Sequence, residues 1–277
     1  MSLVLTRRAL TLAALGAGFA RSVLPVSAET IITPADGLDV ADIQIPVVDG
    51  VIPGYRARPA GGAAEAVVLV TQEIFGLHEH IKDLCRRLAK AGYYAIAPAL
   101  YVRQGDPAAA PDIKTLVETI VAKVPDVQVM SDLDATAAFA ATEAADAAKL
   151  GVTGFCWGGR IVWLYAAHNP ALKAAVAWYG KLVGKPDELH PKHPIMVVED
   201  LKAPVLGLYG GKDEGIPLES VEEMRAALAA ADTKSRIDVY PDAPHGFNAD
   251  YRESYTPEVA KDAWAKMLAW FAANGVG

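Results

Sequence analysis

One cysteine stands in a glycine-rich run that gives it the surroundings of a nucleophile. The run Gly154-Phe155-Cys156-Trp157-Gly158-Gly159 separates a predicted strand from a predicted helix. A nucleophile at such a junction occupies a strained turn, and glycines two residues to either side avoid collisions with neighbouring backbone. The amino end of the helix also favours the thiolate, which is the reactive form of cysteine. The pattern therefore predicts nucleophilic chemistry for Cys156 and argues against an inert buried thiol.

Two further residues follow in an order that completes a catalytic triad. Asp213 comes just after the predicted strand Val205–Tyr209, and His245 comes just after the predicted strand Arg236–Tyr240. Sites in open α/β sheets form beyond the carboxyl ends of strands. Asp213 would orient the imidazole of His245, which would take the thiol proton and later activate water. Nucleophile, acid and histidine appear in the chain order of α/β-hydrolases.

The elements that must position these residues alternate between strands and helices. The predicted strands are Ile43–Val48, Val51–Arg58, Ala66–Thr71, Tyr93–Ala97, Leu150–Phe155, Ala174–Tyr179, Val205–Tyr209 and Arg236–Tyr240. The predicted helices are Glu79–Ala91, Asp112–Lys123, Ser131–Ala148, Gly159–His168, Leu218–Ala231 and Pro257–Ala273. This alternation predicts the α/β class, with a mostly parallel central sheet flanked by helices on both faces. We expect a single domain over residues 40–277.

The first 28 residues differ from the rest of the chain. Arg7 and Arg8 precede an apolar run, Ala9–Ala20, and Val26-Ser27-Ala28 offers small residues for cleavage. This is the pattern of a secretory signal, and the paired arginines resemble the twin-arginine type. A membrane anchor is the alternative, but a span needs about 20 apolar residues. We therefore expect a periplasmic or secreted protein with no stable membrane anchor after signal removal.

Composition excludes several classes of protein. Of the 277 residues, 52% are hydrophobic, which excludes a disordered chain. The net charge of −7 argues against a nucleic-acid binder, which needs a basic face. Cys85 and Cys156 are too few for a disulfide scaffold. Because Cys85 falls on the apolar face of its helix and Cys156 must stay free to react, we expect no disulfide.

The remaining histidines invite a metal interpretation, which the spacing disfavours. His78 and His80 are two residues apart at a helix start, and such a pair does not face one way on a helix. We therefore predict no metal ligand there. His190 and His193 lie in a proline-rich loop and are predicted to be solvated.

Taken together, these motifs resemble the dienelactone hydrolase family. The resemblance rests on Gln72-Glu73-Ile74-Phe75-Gly76, Pro98-Ala99-Leu100-Tyr101, Gly154 to Arg160, Tyr209 to Asp213 and Pro244-His245-Gly246-Phe247, in colinear order over residues 44–273. It implies an α/β-hydrolase fold and hydrolysis of a small-molecule ester or lactone without a metal or cofactor. It also implies a catalytic role for Glu73, which would pair with the resting cysteine and shift away when substrate arrives, helping to form the thiolate. The backbone N–H groups of Ile74 and Trp157 would form the oxyanion hole.

The chain departs from the family where a substrate carboxylate is bound. The resemblance calls for an arginine a few residues after the catalytic histidine, yet the first one is Arg252. It also calls for an arginine and a tyrosine before the elbow helix, but residues 106–130 contain neither. Arg103 is the nearest candidate for substrate binding. The resemblance therefore supports the family's hydrolytic chemistry for this chain more strongly than it supports dienelactone as the substrate.

Two other functions remain open at this point. The chain could be a non-catalytic binding protein on the same fold, because a fold does not fix a function. Cys156 could instead have a thiol-redox role, although no resolving cysteine lies near it in sequence. The expected oligomeric state is a monomer or a small homo-oligomer.

Overall fold

One eight-stranded sheet runs through the chain. The computed structural model describes residues 30–62, 65–143 and 145–277, so the predicted export signal lies outside the described residues. The strands are β1 (Leu38–Val47), β2 (Gly50–Pro59), β3 (Ala66–Thr71), β4 (Tyr94–Pro98), β5 (Asp146–Phe155), β6 (Leu172–Trp178), β7 (Val205–Gly210) and β8 (Arg236–Tyr240). Their order is β1-β2-β4-β3-β5-β6-β7-β8. Only the β1–β2 and β2–β4 pairs of this sheet are antiparallel, which confirms the predicted mostly parallel sheet.

Helices cover the sheet. They are α1 (Glu79–Lys90), α2 (Ile113–Thr119), α3 (Asp126–Thr142), α4 (Trp157–His168), α5 (Leu218–Ala230) and α6 (Pro257–Ala273). Short 3-10 turns occupy Pro107–Ala109, Val121–Lys123 and Pro194–Asp200. Every residue of β3, β4 and β7 is buried, as expected for continuous apolar strands packed on both faces. Within the part of the chain that the structure describes, no helix is both long and apolar enough to cross a membrane.

The predicted helix Ser131–Ala148 is wrong at both ends. Helix α3 begins five residues earlier and ends at Thr142, and β5 already begins at Asp146. Alanines favour a helix here, but the Asp146 N–H donates to the Glu65 carbonyl and the strand pairs with β3. Sheet pairing therefore overrides local propensity. The predicted helix Asp112–Lys123 is likewise split into α2 and a 3-10 turn.

Candidate active site

Cys156 occupies a sharp turn between β5 and α4. Its φ of 56° is positive, a region that non-glycine residues seldom occupy and that is found at functional sites. A Cβ on Gly154 would lie 1.7 Å from the Thr71 hydroxyl. A Cβ on Gly158 would lie 2.5 Å from the carbonyl oxygens of both Thr71 and Gln72. The glycines thus relieve the collisions predicted from the sequence, and the turn can present Cys156 at the carboxyl end of β5.

The structure brings the three predicted triad residues into one chain of contacts. His245 Nε2 lies 3.2 Å from Cys156 Sγ, and His245 Nδ1 lies 2.7 Å from Asp213 Oδ2. The other carboxylate oxygen of Asp213 accepts hydrogen bonds from the backbone N–H groups of Gly215 and Ile216, at 2.8 and 3.0 Å. Asp213 is therefore fixed by its own turn and holds the imidazole towards the sulfur.

The surroundings of His245 favour its protonated form. Burial alone lowers the pKa of an imidazole, but the hydrogen bonds to Asp213 and Cys156 and the negative charges of both groups raise the pKa of His245 to about 10. An imidazolium beside the sulfur stabilises a thiolate at Cys156. The pair can therefore provide a nucleophile together with the acid that later protonates a leaving group.

A cavity of about 650 Å³ opens in front of the pair. Its lining residues are Ile74, Cys156, Trp157, Arg160, Tyr179, Lys181, Lys212, Glu214, Gly215, Ile216, Pro244 and His245. Ile74 and Trp157 thus border the space in front of the sulfur, where the resemblance places their N–H groups. Trp157 is the first residue of α4, and the first N–H groups of a helix have no partner within it.

Glu73 directly precedes the cavity-lining Ile74 and is buried, with hydrogen-bonding partners other than the thiol. It is 1% exposed, and its Oε2 accepts a hydrogen bond of 2.5 Å from the Tyr251 hydroxyl. His78 Nε2 lies 3.5 Å from the same oxygen. Burial raises the pKa of Glu73, but His78 and the charge of Arg252 outweigh burial and hold it well below its usual range. The contact between Glu73 and the resting cysteine that the resemblance implies is replaced here by one with Tyr251.

His78 and His80 do face one way, contrary to the expectation from their spacing. Their rings are 6.1 Å apart with an interplanar angle of 23°, and each also contacts the ring of Tyr251. The rule for helix faces fails because His78 precedes α1 in an extended conformation. His80 lies 3.3 Å from Asp250. Among residues 30–62, 65–143 and 145–277, no group of three or more His, Cys, Asp or Glu side chains is placed to hold a metal ion.

The predicted solvation of the other loop histidines is wrong. His193 is only 7% exposed, and its ring packs against Gly184. His190 is half-buried, with one nitrogen against the Asp187 carboxylate and the other 3.1 Å from the Val124 carbonyl. A proline-rich sequence suggested an open loop, but this one folds back onto the body of the protein.

The two candidate arginines occupy different places. Arg103 pairs with Asp49 and with the buried Asp132, and the cavity-lining residues given above do not include it. The structure therefore does not bring Arg103 to the site. Arg252 has its guanidinium carbon 5.1 Å from the centre of the Phe75 ring, and its charge helps to lower the pKa of Glu73. Neither Tyr251 nor Arg252 belongs to a motif, and the only sequence signal for them is that they follow His245 in the same loop.

The second thiol is a core residue, as predicted. Cys85 is fully buried in α1, and burial raises the pKa of its thiol well above the usual range. Both cysteines are free. Of the two, only Cys156 borders the cavity.

Comparison with known proteins shows the family to which the chain belongs. Residues 52–275 match the model of the dienelactone hydrolase family. A Methylorubrum extorquens protein named "Putative carboxymethylenebutenolidase" is 57% identical over 274 residues, covering 98% of this chain and 94% of that protein. A protein of the same name from Salmonella typhimurium is 58% identical over 259 residues, covering 93% and 96%.

A solved structure extends the similarity to the fold. It is titled "Crystal Structure of Putative Dienelactone Hydrolase" from Klebsiella pneumoniae, and it is 59% identical in sequence with a TM-score of 0.84. The similarity covers 85% of this chain and 98% of that one. The chain therefore belongs to the dienelactone hydrolase family and is a lactone or ester hydrolase with an α/β-hydrolase fold.

Proposed function

We propose that the protein hydrolyses small esters or lactones through a thioester formed on Cys156, with His245 and Asp213 as its partners. The observation that carries this proposal is the His245 Nε2 to Cys156 Sγ distance of 3.2 Å, made by an imidazole whose other nitrogen is held by Asp213. Such a chain of contacts is the geometric signature of nucleophilic acyl transfer.

In the first half of the reaction, the sulfur of Cys156 attacks the acyl carbon and forms a C–S bond. The carbonyl oxygen becomes an oxyanion, which the N–H groups of Ile74 and Trp157 stabilise. When the tetrahedral intermediate collapses, the C–O bond breaks and the leaving oxygen takes a proton from His245. The acyl group then remains as a thioester.

In the second half, His245 takes a proton from water as the water attacks the thioester carbon. The C–S bond breaks, the thiolate leaves, and the acyl group departs as a carboxylic acid. Asp213 stabilises the imidazolium that forms in this step and keeps its tautomer fixed. Every proton is carried by side chains of this chain, so these steps require neither a metal nor a cofactor.

The cavity supports a small-molecule substrate. Its volume of about 650 Å³ lies in the range of pockets that enclose small organic ligands. The names of the relatives suggest carboxymethylenebutenolide, an unsaturated lactone, as one compound to test.

Turnover of p-nitrophenyl acetate and of a panel of small lactones tests the proposal. We expect Cys156→Ala and Cys156→Ser to lose at least about 10³-fold in kcat. Cys85→Ala is the matched control, because it removes the other thiol and leaves the cavity intact. If both Cys156 variants kept wild-type turnover, the assignment would be wrong. If even the wild type turned over nothing in the panel, a binding role on the same fold would be favoured.

We also propose that the protein is exported. The support is the paired Arg7 and Arg8 ahead of the apolar run and the small residues that end at Ala28. Cell fractionation and the mass of the mature chain test this. We expect a periplasmic form that begins at Glu29, and we expect Arg7→Lys with Arg8→Lys to retain the precursor inside the cell. Unprocessed protein in the cytoplasm of the wild type would contradict export.

A further inference from the structure

A second cavity, of about 640 Å³, has no part in the proposed reaction. It lies among strands β1 and β2, the loop that follows β3 and the segment that follows β4. Its volume is close to that of the active-site cavity, about 650 Å³. In the part of the chain that the structure describes, the two cavities have no lining residue in common. The second cavity therefore has walls of its own.

Two buried polar groups in these walls have no partner. Gln72 is fully buried and Tyr101 is 2% exposed, and both line the cavity. Neither Gln72 Nε2 nor the Tyr101 hydroxyl has a hydrogen-bond partner among the described residues. The Gln72 oxygen is engaged, because it accepts from the Leu100 N–H at 3.3 Å, so the NH₂ end of the amide is the one left over.

The two unpartnered groups lie near each other. Burial raises the pKa of Tyr101 well above its usual range, and the Gln72 side chain acts in the opposite direction, which requires the amide to be close to the phenol. Buried polar groups without partners cost stability. A ligand that paired with both groups would recover that cost.

The rest of the cavity favours a ligand without charge. Lys82 Nζ lies 2.5 Å from Asp42 Oδ1, and Asp106 accepts from the Ala108 N–H at 2.9 Å. Burial lowers the pKa of His78, so this ring adds no positive charge near neutral pH. Each charged group that lines the cavity is thus already engaged. Much of the remaining wall is apolar, and includes Ile43, Pro53, Phe75, Leu77, Ala99 and Pro107.

We propose that the second cavity binds a small uncharged organic molecule whose carbonyl oxygen accepts hydrogen bonds from the Gln72 amide and the Tyr101 hydroxyl. The amide NH₂ and the phenol are both donors, and one carbonyl oxygen has two lone pairs to receive them. Water would satisfy these donors but would leave the apolar wall wet, whereas a carbonyl compound with apolar substituents satisfies both. The inference does not depend on the role of Cys156.

The bound molecule would be held apart from the nucleophile. The ring of Tyr101 contacts that of Trp157, with centres 4.8 Å apart and an interplanar angle of 67°. Tyr101 lines the second cavity and Trp157 lines the active-site cavity. Each ring therefore belongs to one of the two spaces, and the molecule in the second cavity is a ligand and not a substrate of the thiol.

Photo-cross-linking with benzophenone tests the proposal. Benzophenone is an uncharged aromatic ketone that bonds to nearby C–H groups on irradiation, and peptide mapping then locates the label. We expect label within residues 72–78 and 99–108 of the wild type. Tyr101→Phe should reduce this label roughly three- to tenfold below saturation, without loss of stability, because the hydroxyl that it removes has no partner. Label confined to peptides of the active-site cavity, or spread evenly over the surface, would overturn the proposal.

A pair of tryptophan variants tests the location independently. Ala108 lines the cavity, whereas Ala109, its exposed neighbour in the same 3-10 turn, does not. We expect Ala108→Trp to fill the space and to lower the label at least about tenfold, and Ala109→Trp to leave it within about twofold of the wild type. Equal labelling of the two variants would show that the molecule does not enter this cavity.

Competing compounds test the part played by the carbonyl. Benzanilide keeps a carbonyl oxygen between two rings, and diphenylmethane has the two rings without an oxygen. We expect benzanilide to displace benzophenone roughly three- to tenfold more effectively. Equal competition would mean that the two donors do not recognise the ligand, and would contradict the proposal.

This experiment is separate from the test of the proposed function. Benzophenone has no ester bond, so its binding is read without any turnover. Cys156→Ala should be labelled in the second cavity as the wild type is. Loss of the proposed function would appear as unchanged ester turnover in Cys156→Ala, which leaves the label unaffected.

Discussion

The hydroxyl of Thr71 fills the space that a side chain on residue 154 would need. It lies 1.7 Å from the point where the Cβ would sit, and within hydrogen-bond distance of the carbonyls of Thr153 and Gly158, at 3.2 and 3.0 Å. Thr71 ends β3, Gly154 lies near the end of β5, and Gly158 lies in α4. One hydroxyl thus ties together the three elements that set the position of Cys156.

Gly154→Ala should therefore disturb both folding and catalysis. A collision this close cannot be relieved without a backbone shift, and overpacking of this kind costs about 1–3 kcal/mol. We expect the free energy of unfolding to fall by that amount or more, and kcat to fall because the sulfur moves away from His245. Gly277→Ala is the control, since its nearest neighbours are 3.6 Å or more away. Wild-type stability and turnover in Gly154→Ala would show that the elbow tolerates a side chain.

Asp213→Asn should keep the turn and lose the chemistry. Its Oδ1 can still accept from the N–H groups of Gly215 and Ile216, but an amide NH₂ facing His245 Nδ1 imposes the wrong tautomer. We expect kcat to drop by roughly 10³–10⁴-fold with little change in unfolding free energy. Asp242→Asn serves as the control, because that exposed carboxylate pairs only with Lys212 in the described structure. A kcat within a few-fold of wild type in Asp213→Asn would remove Asp213 from the triad.

His245 should make the stability of the protein depend on pH. Its pKa is raised from 6.5 to about 10, so the folded protein binds this proton more tightly than the unfolded chain does. The stabilisation from protonated His245 is therefore fully present below pH 6.5 and is lost as the pH rises towards 10.

We expect the difference in unfolding free energy between wild type and His245→Gln to be greatest at the acidic end of this window and to shrink through it. Urea unfolding at a series of pH values measures that difference. His168→Gln provides the comparison, since His168 also contacts a carboxylate, that of Asp134, but on the surface. A difference that grows with pH would contradict the raised pKa.

A buried ion pair stabilises one wall of the cavity. Arg160 Nη1 and Nη2 each lie 2.7 Å from an oxygen of Asp126, and both residues are buried. Arg160→Met would leave Asp126 buried and unpaired, which we expect to cost about 3–5 kcal/mol of unfolding free energy. The exposed pair of Lys192 and Asp200 is the control, where Lys192→Ala should change stability by less than about 1 kcal/mol. If urea unfolding showed that Arg160→Met destabilises the protein no more than Lys192→Ala does, the pair of Arg160 and Asp126 would not be what stabilises this wall.

The contacts among Cys156, His245 and Asp213 were predictable because the local sequence places each of these residues just after a strand. Cys156 lies between glycines, Asp213 follows the predicted apolar strand Val205–Tyr209, and His245 follows the short strand Arg236–Tyr240, in which polar and apolar residues alternate. Parallel strands place their carboxyl ends at one edge of the sheet, so distant positions in sequence become neighbours. The chain order and the strand pattern were enough to assemble the site.

The surroundings of Glu73 were not predictable in the same way. Tyr251 reaches Glu73 across 178 positions in sequence, from a loop with no periodic pattern. His78 joins it only because the chain is extended at that residue before α1 begins. Such contacts depend on how two loops pack, and residue spacing carries no information about that. The wrong prediction for the end of α3 has a related cause. The alanine-rich sequence favours a helix, but residues from Asp146 onwards pair with a neighbouring strand instead.

The central claim is that Cys156 carries the acyl group during turnover. The most direct measurement is mass spectrometry of the protein quenched in acid during reaction with p-nitrophenyl acetate, followed by peptide mapping. The account predicts an acetyl group on the peptide that contains Cys156, and none in Cys156→Ala. Turnover with the acetyl group on another residue, or undiminished turnover by Cys156→Ala, would contradict it.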